Sequence, residues 1–272
     1  MFAEIHRTEL EAEVWDCLDQ VTDPELDEPI TDMGFVERID VDQSSRKVEV
    51  DFRLPTYWCS PNFAFLMGFD VRIAVSKLPW VKNIRVTLND HCFADRVNDG
   101  VNGSRDFADV FSEYCDGSDL DNVRLKFQEK AFIRRQETVL LGLEARGFTG
   151  EDIVGMTLEI FDRVAFQGQE EARQKPRYRE ILLAHGLATQ SNDLAFVTWE
   201  GAPLSAQGLR DYLARLRGVR INMEFNGALC RGLQSTRYKE VKIGAEGPTL
   251  IDFIQNRVPP REPIHPEPQA AP

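Results

Sequence analysis

The 272-residue sequence lacks any apolar run approaching the ~20 residues that cross a bilayer, so no membrane span is expected. It lacks a basic leader followed by an apolar stretch, which argues against secretion and for a cytoplasmic protein. It lacks a Cys-x-x-Cys pair. Cys17, Cys59, Cys92, Cys115 and Cys230 are scattered and odd in number, so neither a zinc ribbon nor a thioredoxin-type redox motif is signalled. In a reducing compartment they are thiols, and Cys17 and Cys230 read as small buried hydrophobes; Cys115 suggests no role. There is no Gly-x-x-x-x-Gly-Lys loop, no Gly-x-Gly-x-x-Gly after a strand and no His-Glu-x-x-His, so no nucleotide or zinc-protease chemistry is expected. There is no internal repeat.

What is present is acid, concentrated at one end. Residues 1–130 hold 27 Asp and Glu against 14 Lys and Arg, whereas residues 131–272 hold 18 of each. The net charge of −13 therefore belongs to the front half. An acidic face repels phosphate, which disfavours nucleic acid, and suits a basic protein partner or cations. Charge serving solubility is the alternative.

Apolar periodicity predicts a helix over 8–21, with Leu10, Val14, Cys17, Leu18 and Val21 on one side. Thr8 and Glu11 form a capping box, and Pro24 forces the helix to stop. A polar turn through Asp23–Pro29 and Asp32-Met33-Gly34 leads to a strand at 35–42. Ser44-Ser45 turns into a strand at 47–54, where Val48, Val50, Phe52 and Leu54 alternate with charged residues. After the loop Pro55–Cys59, Ser60 and Pro61 open a helix to about Leu78. A third strand spans 81–88. The order gives a small α-β-β-α-β domain with helices on one sheet face.

Residues 89–120 are rich in Asn, Asp, Gly and Ser and read as the domain boundary. Beyond it the texture is mostly helical with a few strands, making the whole an α+β protein. Helices are expected at 123–146, from Thr149 to Phe166, at 176–187 and at 204–217, with short strands at 194–199, 219–225 and 239–243. The resulting division is an N-terminal domain at 1–95, a linker at 96–120, a mostly helical accessory domain at 121–258, and a Pro-rich tail at 259–272 expected to be disordered.

Chemistry concentrates at Cys59. Placed just ahead of a helix N-terminus, its thiolate is favoured as nucleophile or metal ligand. His91 and Cys92 follow the third strand and carry good iron or zinc ligands, although adjacent residues in an extended segment point opposite ways. An exposed loop His with an incidental Cys is the plainer reading. Cys59, His91 and an acid such as Asp90 or Asp23 also have the residue types of a cysteine hydrolase, the remotest alternative.

Four motifs carry a resemblance. They are Val21-Thr22-Asp23-Pro24-Glu25, Thr31–Val36, Leu54-Pro55-Thr56 ahead of Cys59, and Trp80–Val86. In this order and spacing, residues 8–90 resemble the iron–sulfur assembly domain of the SufT and PaaD proteins. The resemblance implies an accessory factor, not an enzyme, that helps mature an iron–sulfur or iron-containing enzyme. It implies Cys59 as the functional thiol, with Asp23, Glu25, Asp32 and Thr56 at the family's motif positions. Asp23 and Asp32 equally suit turn initiation and the holding of backbone N–H groups. Family members usually carry Pro or Gly directly after the cysteine and a small residue before it; here Ser60 and Trp58 stand there.

Two functions then compete. In the first, Cys59, with His91 and Cys92 as further candidate ligands, transiently holds iron or a cluster. In the second, the protein is a metal-free adaptor or chaperone. In both, the partners are a client metalloenzyme and the assembly machinery, and the region after 121 selects the client. The family's occurrence beside multicomponent oxygenases implies an iron-dependent monooxygenase as that client. Monomer and homodimer are both compatible with the sequence.

Overall fold

The computed structural model describes residues 8–114 and 120–237. These divide into two compact units: residues 8–23, 28–114 and 227–237 form one, and 24–27 and 120–226 the other. The tail at 259–272, the strand at 239–243 and Cys115 lie outside the described residues.

In the first unit, α1 (Glu9–Leu18) opens with Thr8 accepting from Glu11 N and Glu11 accepting from Thr8 N. It ends three residues earlier than its apolar spacing suggests, and Val21 is buried beyond its end. Strands β1 (Val36–Asp42) and β2 (Lys47–Arg53) form an antiparallel hairpin with Ile39 opposite Val50 and Val41 opposite Val48. Helix α2 (Pro61–Ser76) then carries the chain to β3 (Asn83–Asn89), which runs parallel to β2. The sheet order is β1-β2-β3. Val48, Val50, Phe52, Val86 and Leu88 are buried beneath α2, whose Phe65, Met67, Val71 and Val75 share the core. The opposite face carries charge pairs, Arg38 to Asp51 at 2.8 Å and Arg53 to Glu37 at 2.8 Å. One apolar and one charged face is what the alternation in β2 dictates.

The segment expected as a linker is folded where it is described. It holds α3 (Ala94–Asn102), α4 (Phe107–Val110) and a 3-10 turn at Ser112–Tyr114. Val97, Val101, Phe107, Val110 and Phe111 are buried. The asparagines that read as loop do specific work on β3. Asn98 accepts from Leu88 N at 2.7 Å and donates to Leu88 O at 3.1 Å. Asn102 does the same to Val86, at 2.9 and 2.7 Å. Four helical residues rise ~6 Å and two strand residues ~6.6 Å, so i and i+4 on the helix meet i and i+2 on the strand. Gly100 lies between these asparagines because a Cβ there would stand 2.8 Å from both Phe65 and Val110.

The second unit is helical: α5 (Leu120–Ala145), α6 (Gly150–Val154), α7 (Leu158–Arg163), α8 (Gln169–Ala184) and the first part of α9 (Leu209–Arg237). Phe132, Leu140, Leu143, Ile153, Phe161, Leu182 and Phe196 form its core. Fully buried Gln136 donates to Tyr178 Oη and to Val197 O, both at 2.8 Å, and accepts from Tyr212. Asp27 and Arg135 form a buried two-point ion pair.

Three expectations change here. The single helix from Thr149 to Phe166 breaks at Gly155–Thr157, where Thr157 caps α7, so Phe161 is buried and Ile160 is exposed. Residues 194–199 form only isolated bridges, Thr157 to Leu194 and Val197 to Pro203. Residues 219–225 alternate like a strand but lie within α9. There Leu209, Tyr212, Leu216 and Met223 are buried at steps of three, four and seven, while Ile221 and Phe225 face outward. A continuing helical stripe overrides a local alternation that would strand its apolar residues in water. No described helix is long and apolar enough to cross a membrane.

Candidate functional site

Strand β2 runs straight into buried Leu54 and Pro55, which anchor the loop at the end of the sheet. Thr56 follows, partly buried. Tyr57 and Trp58 then turn outward and meet edge to face at 6.4 Å; Trp58 is 76% exposed. Cys59 is partly exposed, and Pro61 starts α2 two residues later. Ser60 occupies the N-cap position, but its side chain makes no capping bond; its carbonyl accepts from Phe63 N and Ala64 N, each at 3.1 Å.

The loop after β3 holds this one in place. Cys92 N donates to Tyr57 O at 2.8 Å. The His91 ring is 5% exposed, with Nε2 2.9 Å from the Cys59 carbonyl oxygen, while Phe93 N approaches Nδ1 at 3.2 Å. A carbonyl only accepts and an amide only donates. The proton therefore sits on Nε2, and the lone pair of Nδ1 is taken. Both ring nitrogens are thus engaged with backbone, and the ring fixes the Cys59 carbonyl from behind. Phe93 packs edge-on against Phe111 and Tyr114 at 5.6 and 5.5 Å, which supports this second loop from α4 and the 3-10 turn.

Burial, the largest influence, holds the His91 ring below its ordinary value, and the nearby Arg237 cation acts the same way; the bond to Cys59 O and Asp90 oppose them. The unfolded chain takes up a proton near the ordinary value, about 6.5, before the folded ring does, so this contribution to stability is complete above that pH and is lost as pH falls below it. Lowering the pH from 7.5 to 5.5 is expected to loosen the Cys59 loop first. Amide exchange at Cys92 is the readout, and a His91→Gln variant should lose this pH response.

Cys59, His91 and Cys92 are thereby brought into one loop cluster, with Cys92 exposed. The acidic motif residues are placed differently. Asp23 is buried, and its N–H donates to Glu28 O at 2.8 Å, closing the turn through the Thr22–Pro29 bridge. Glu25 belongs to the second unit and accepts from Asn226 Nδ2 at 3.4 Å. Asp32 is exposed on the turn that ends at Gly34, whose φ of +69° suits glycine. Among the described residues no group of three or more His, Cys, Asp and Glu side chains stands close enough to hold a metal ion. Cys17, Cys59, Cys92 and Cys230 are thiols, not disulfides. Burial pushes the Cys17 thiol up, with Asp16 and Glu13 adding to it.

One neighbour of the site had no signal in the sequence. Arg237, at the end of α9, pairs with the Asp90 carboxylate at 2.8 Å and lies 5.9 Å over the Tyr57 ring. Contacts separated by 147 residues leave no local pattern to read.

Residues 11–88 match the profile of a family described as iron–sulfur cluster assembly protein. That span, less than half of the chain, is similar to an iron–sulfur cluster assembly domain. It takes in Asp23, Glu25, Asp32, Thr56 and Cys59, together with the whole three-stranded sheet up to Leu88. His91, Cys92, Arg237 and the asparagine-bearing α3 lie outside the matched span, and His91 and Cys92 brace the cysteine loop within it. The comparison with curated proteins found no match. The domain associates the chain with iron–sulfur assembly in general.

Proposed function

We propose that this protein is an accessory factor, not an enzyme, that acts in the cytoplasm on an iron–sulfur or iron-containing client, with Cys59 as its functional thiol. The observation that carries this reading is the Cys59 loop. An assembly-family domain presents a partly exposed thiol between an outward-facing Trp58 and a helix start, on a mount braced by backbone hydrogen bonds. Iron or a cluster is cargo here. Cys59 and Cys92 are the thiolates offered to it, and His91 orients the loop. The exposed aromatic pair suits contact with a partner protein, either the donor or the client. The client class is an iron-dependent enzyme such as a multicomponent monooxygenase. A hydrolytic role finds no support, because His91 engages the Cys59 carbonyl and Asp90 pairs with Arg237.

Anaerobic reconstitution of the full chain with iron and sulfide tests the reading. Bound iron near one equivalent or more, lost in Cys59→Ala, is the expected result. Absence of iron from both proteins would sink the carrier role and leave the metal-free adaptor, which the engagement of both His91 nitrogens favours.

A further inference from the structure

We propose that Arg237 is a positioning residue for the Cys59 loop, acting through Asp90 and Tyr57. All the residues involved lie in the first unit. The inference rests on the reading of Cys59 as the functional thiol, but its test requires no iron.

Arg237 is delivered to the site by contacts that do not involve the site. One turn earlier, Gln234 Nε2 donates to Gly34 O at 2.8 Å. Two turns earlier, Arg231 pairs with Glu28 and reaches Met33 Sδ at 3.6 Å. The end of α9 is thus seated on the turn at 28–34, and Arg237 follows from the helical spacing.

At the site a single guanidinium serves both loops. Its Nη2 meets the Asp90 carboxylate at 2.8 Å and the Asp90 carbonyl at 3.0 Å. Asp90 has φ +50°, a left-handed conformation that strains a residue with a Cβ unless something holds it. Asp90 is also the residue that turns the chain out of β3 and aims His91 at the Cys59 carbonyl. The other side of the same guanidinium lies over the Tyr57 ring, within cation–π range. Tyr57 in turn accepts the Cys92 N–H. Arg237 therefore clamps the two loop pairings, the Cys92 N–H on Tyr57 O and the His91 ring on Cys59 O, from outside the matched span. Planarity and a fork of donors make arginine suited to bridging a carboxylate, a carbonyl and a ring at once; a lysine ammonium reaches one of them.

The test uses the full chain and amide exchange at Cys92, which reports the loop pairing. In Arg237→Gln, Cys92 protection is expected to fall about tenfold while amides of β2 and β3 keep theirs. In Arg237→Lys, which restores the cation but not the fork of donors, Cys92 protection should recover only in part. Asp90→Asn, which tolerates the left-handed backbone, should lower Cys92 protection as well. Unchanged Cys92 protection in either Arg237→Gln or Asp90→Asn, or an equal loss at the β2 and β3 amides, would overturn the proposal. These results and the iron-binding result can fail separately.

Discussion

Replacing both Asn98 and Asn102 by alanine is expected to destabilise the first unit by about 3–5 kcal/mol, a large part of the ~5–15 kcal/mol that holds a domain together. Each asparagine satisfies one N–H and one C=O of β3, the outer strand of the sheet. Alanine leaves those groups to water where water reaches and to nothing where it does not. Helix propensity works the other way, since alanine is the better helix former by ~0.5 kcal/mol. A net loss therefore measures the edge pairing itself. Aspartate supplies the sharper comparison. Asn98→Asp keeps the acceptor for Leu88 N but sets a carboxylate against Leu88 O, so it should be destabilised as well. Urea unfolding followed by far-UV circular dichroism checks both. If Asn98→Asp matched the parent protein, the two-sided pairing would not be what stabilises the edge. An uncovered β3 should also show concentration-dependent association, because open strand edges template pairing.

Removing Asp27 is expected to cost about 3–5 kcal/mol in the second unit, the range for a buried charge that loses its partner. Asp27 is 3% exposed, and its carboxylate takes both Nε and an Nη of Arg135. Arg135 also donates to Arg177 O at 2.9 Å, and Arg134 donates to Leu26 O at 2.9 Å. Arg177 is held below its ordinary value mainly by burial, and Asp27 opposes that shift. Arg135 thus binds the carboxylate, Arg177 feels its charge and Arg134 holds the backbone carbonyls beside it, so Asp27→Ala should cost more than Arg135→Met. The double variant should recover part of the loss of either single change, because it leaves neither charge of the pair without the other. Strictly additive losses in the thermodynamic cycle would mean that the pair is not coupled. The Asp27 backbone is left-handed, with φ +53°, so Asp27→Gly separates carboxylate loss from backbone relief.

How far each feature could be read in advance depended on the range of the interactions that make it. Thr8 with Glu11, the alternation in β2 and Pro61 at the start of α2 are local signals, and the elements they mark stand within a few residues of their expected bounds. The one-cysteine loop was visible too, because strand end, proline, cysteine and helix start follow one another directly. The misread elements share one cause. Asn98-Asp99-Gly100 resembles a turn until β3 supplies backbone groups for Asn98 and until Phe65 and Val110 leave room only for glycine. The alternation at 219–225 resembles a strand until Tyr212, Leu216 and Met223 are seen to share one buried helical stripe. His91 has the chemistry of a ligand until its two nitrogens are found on Cys59 O and Phe93 N.

Periodicity, capping residues and proline positions determined the α-β-β-α-β order and placed a thiol at its sheet end, since each acts within a turn or two of chain. Tertiary structure decided what surrounds that thiol. His91 lies 32 residues from Cys59, and Arg237 lies 147 residues from Asp90. Whether such groups face one another depends on burial and on which backbone donors and acceptors remain open once the sheet and helices have formed. That accounting closes only when the whole chain is folded.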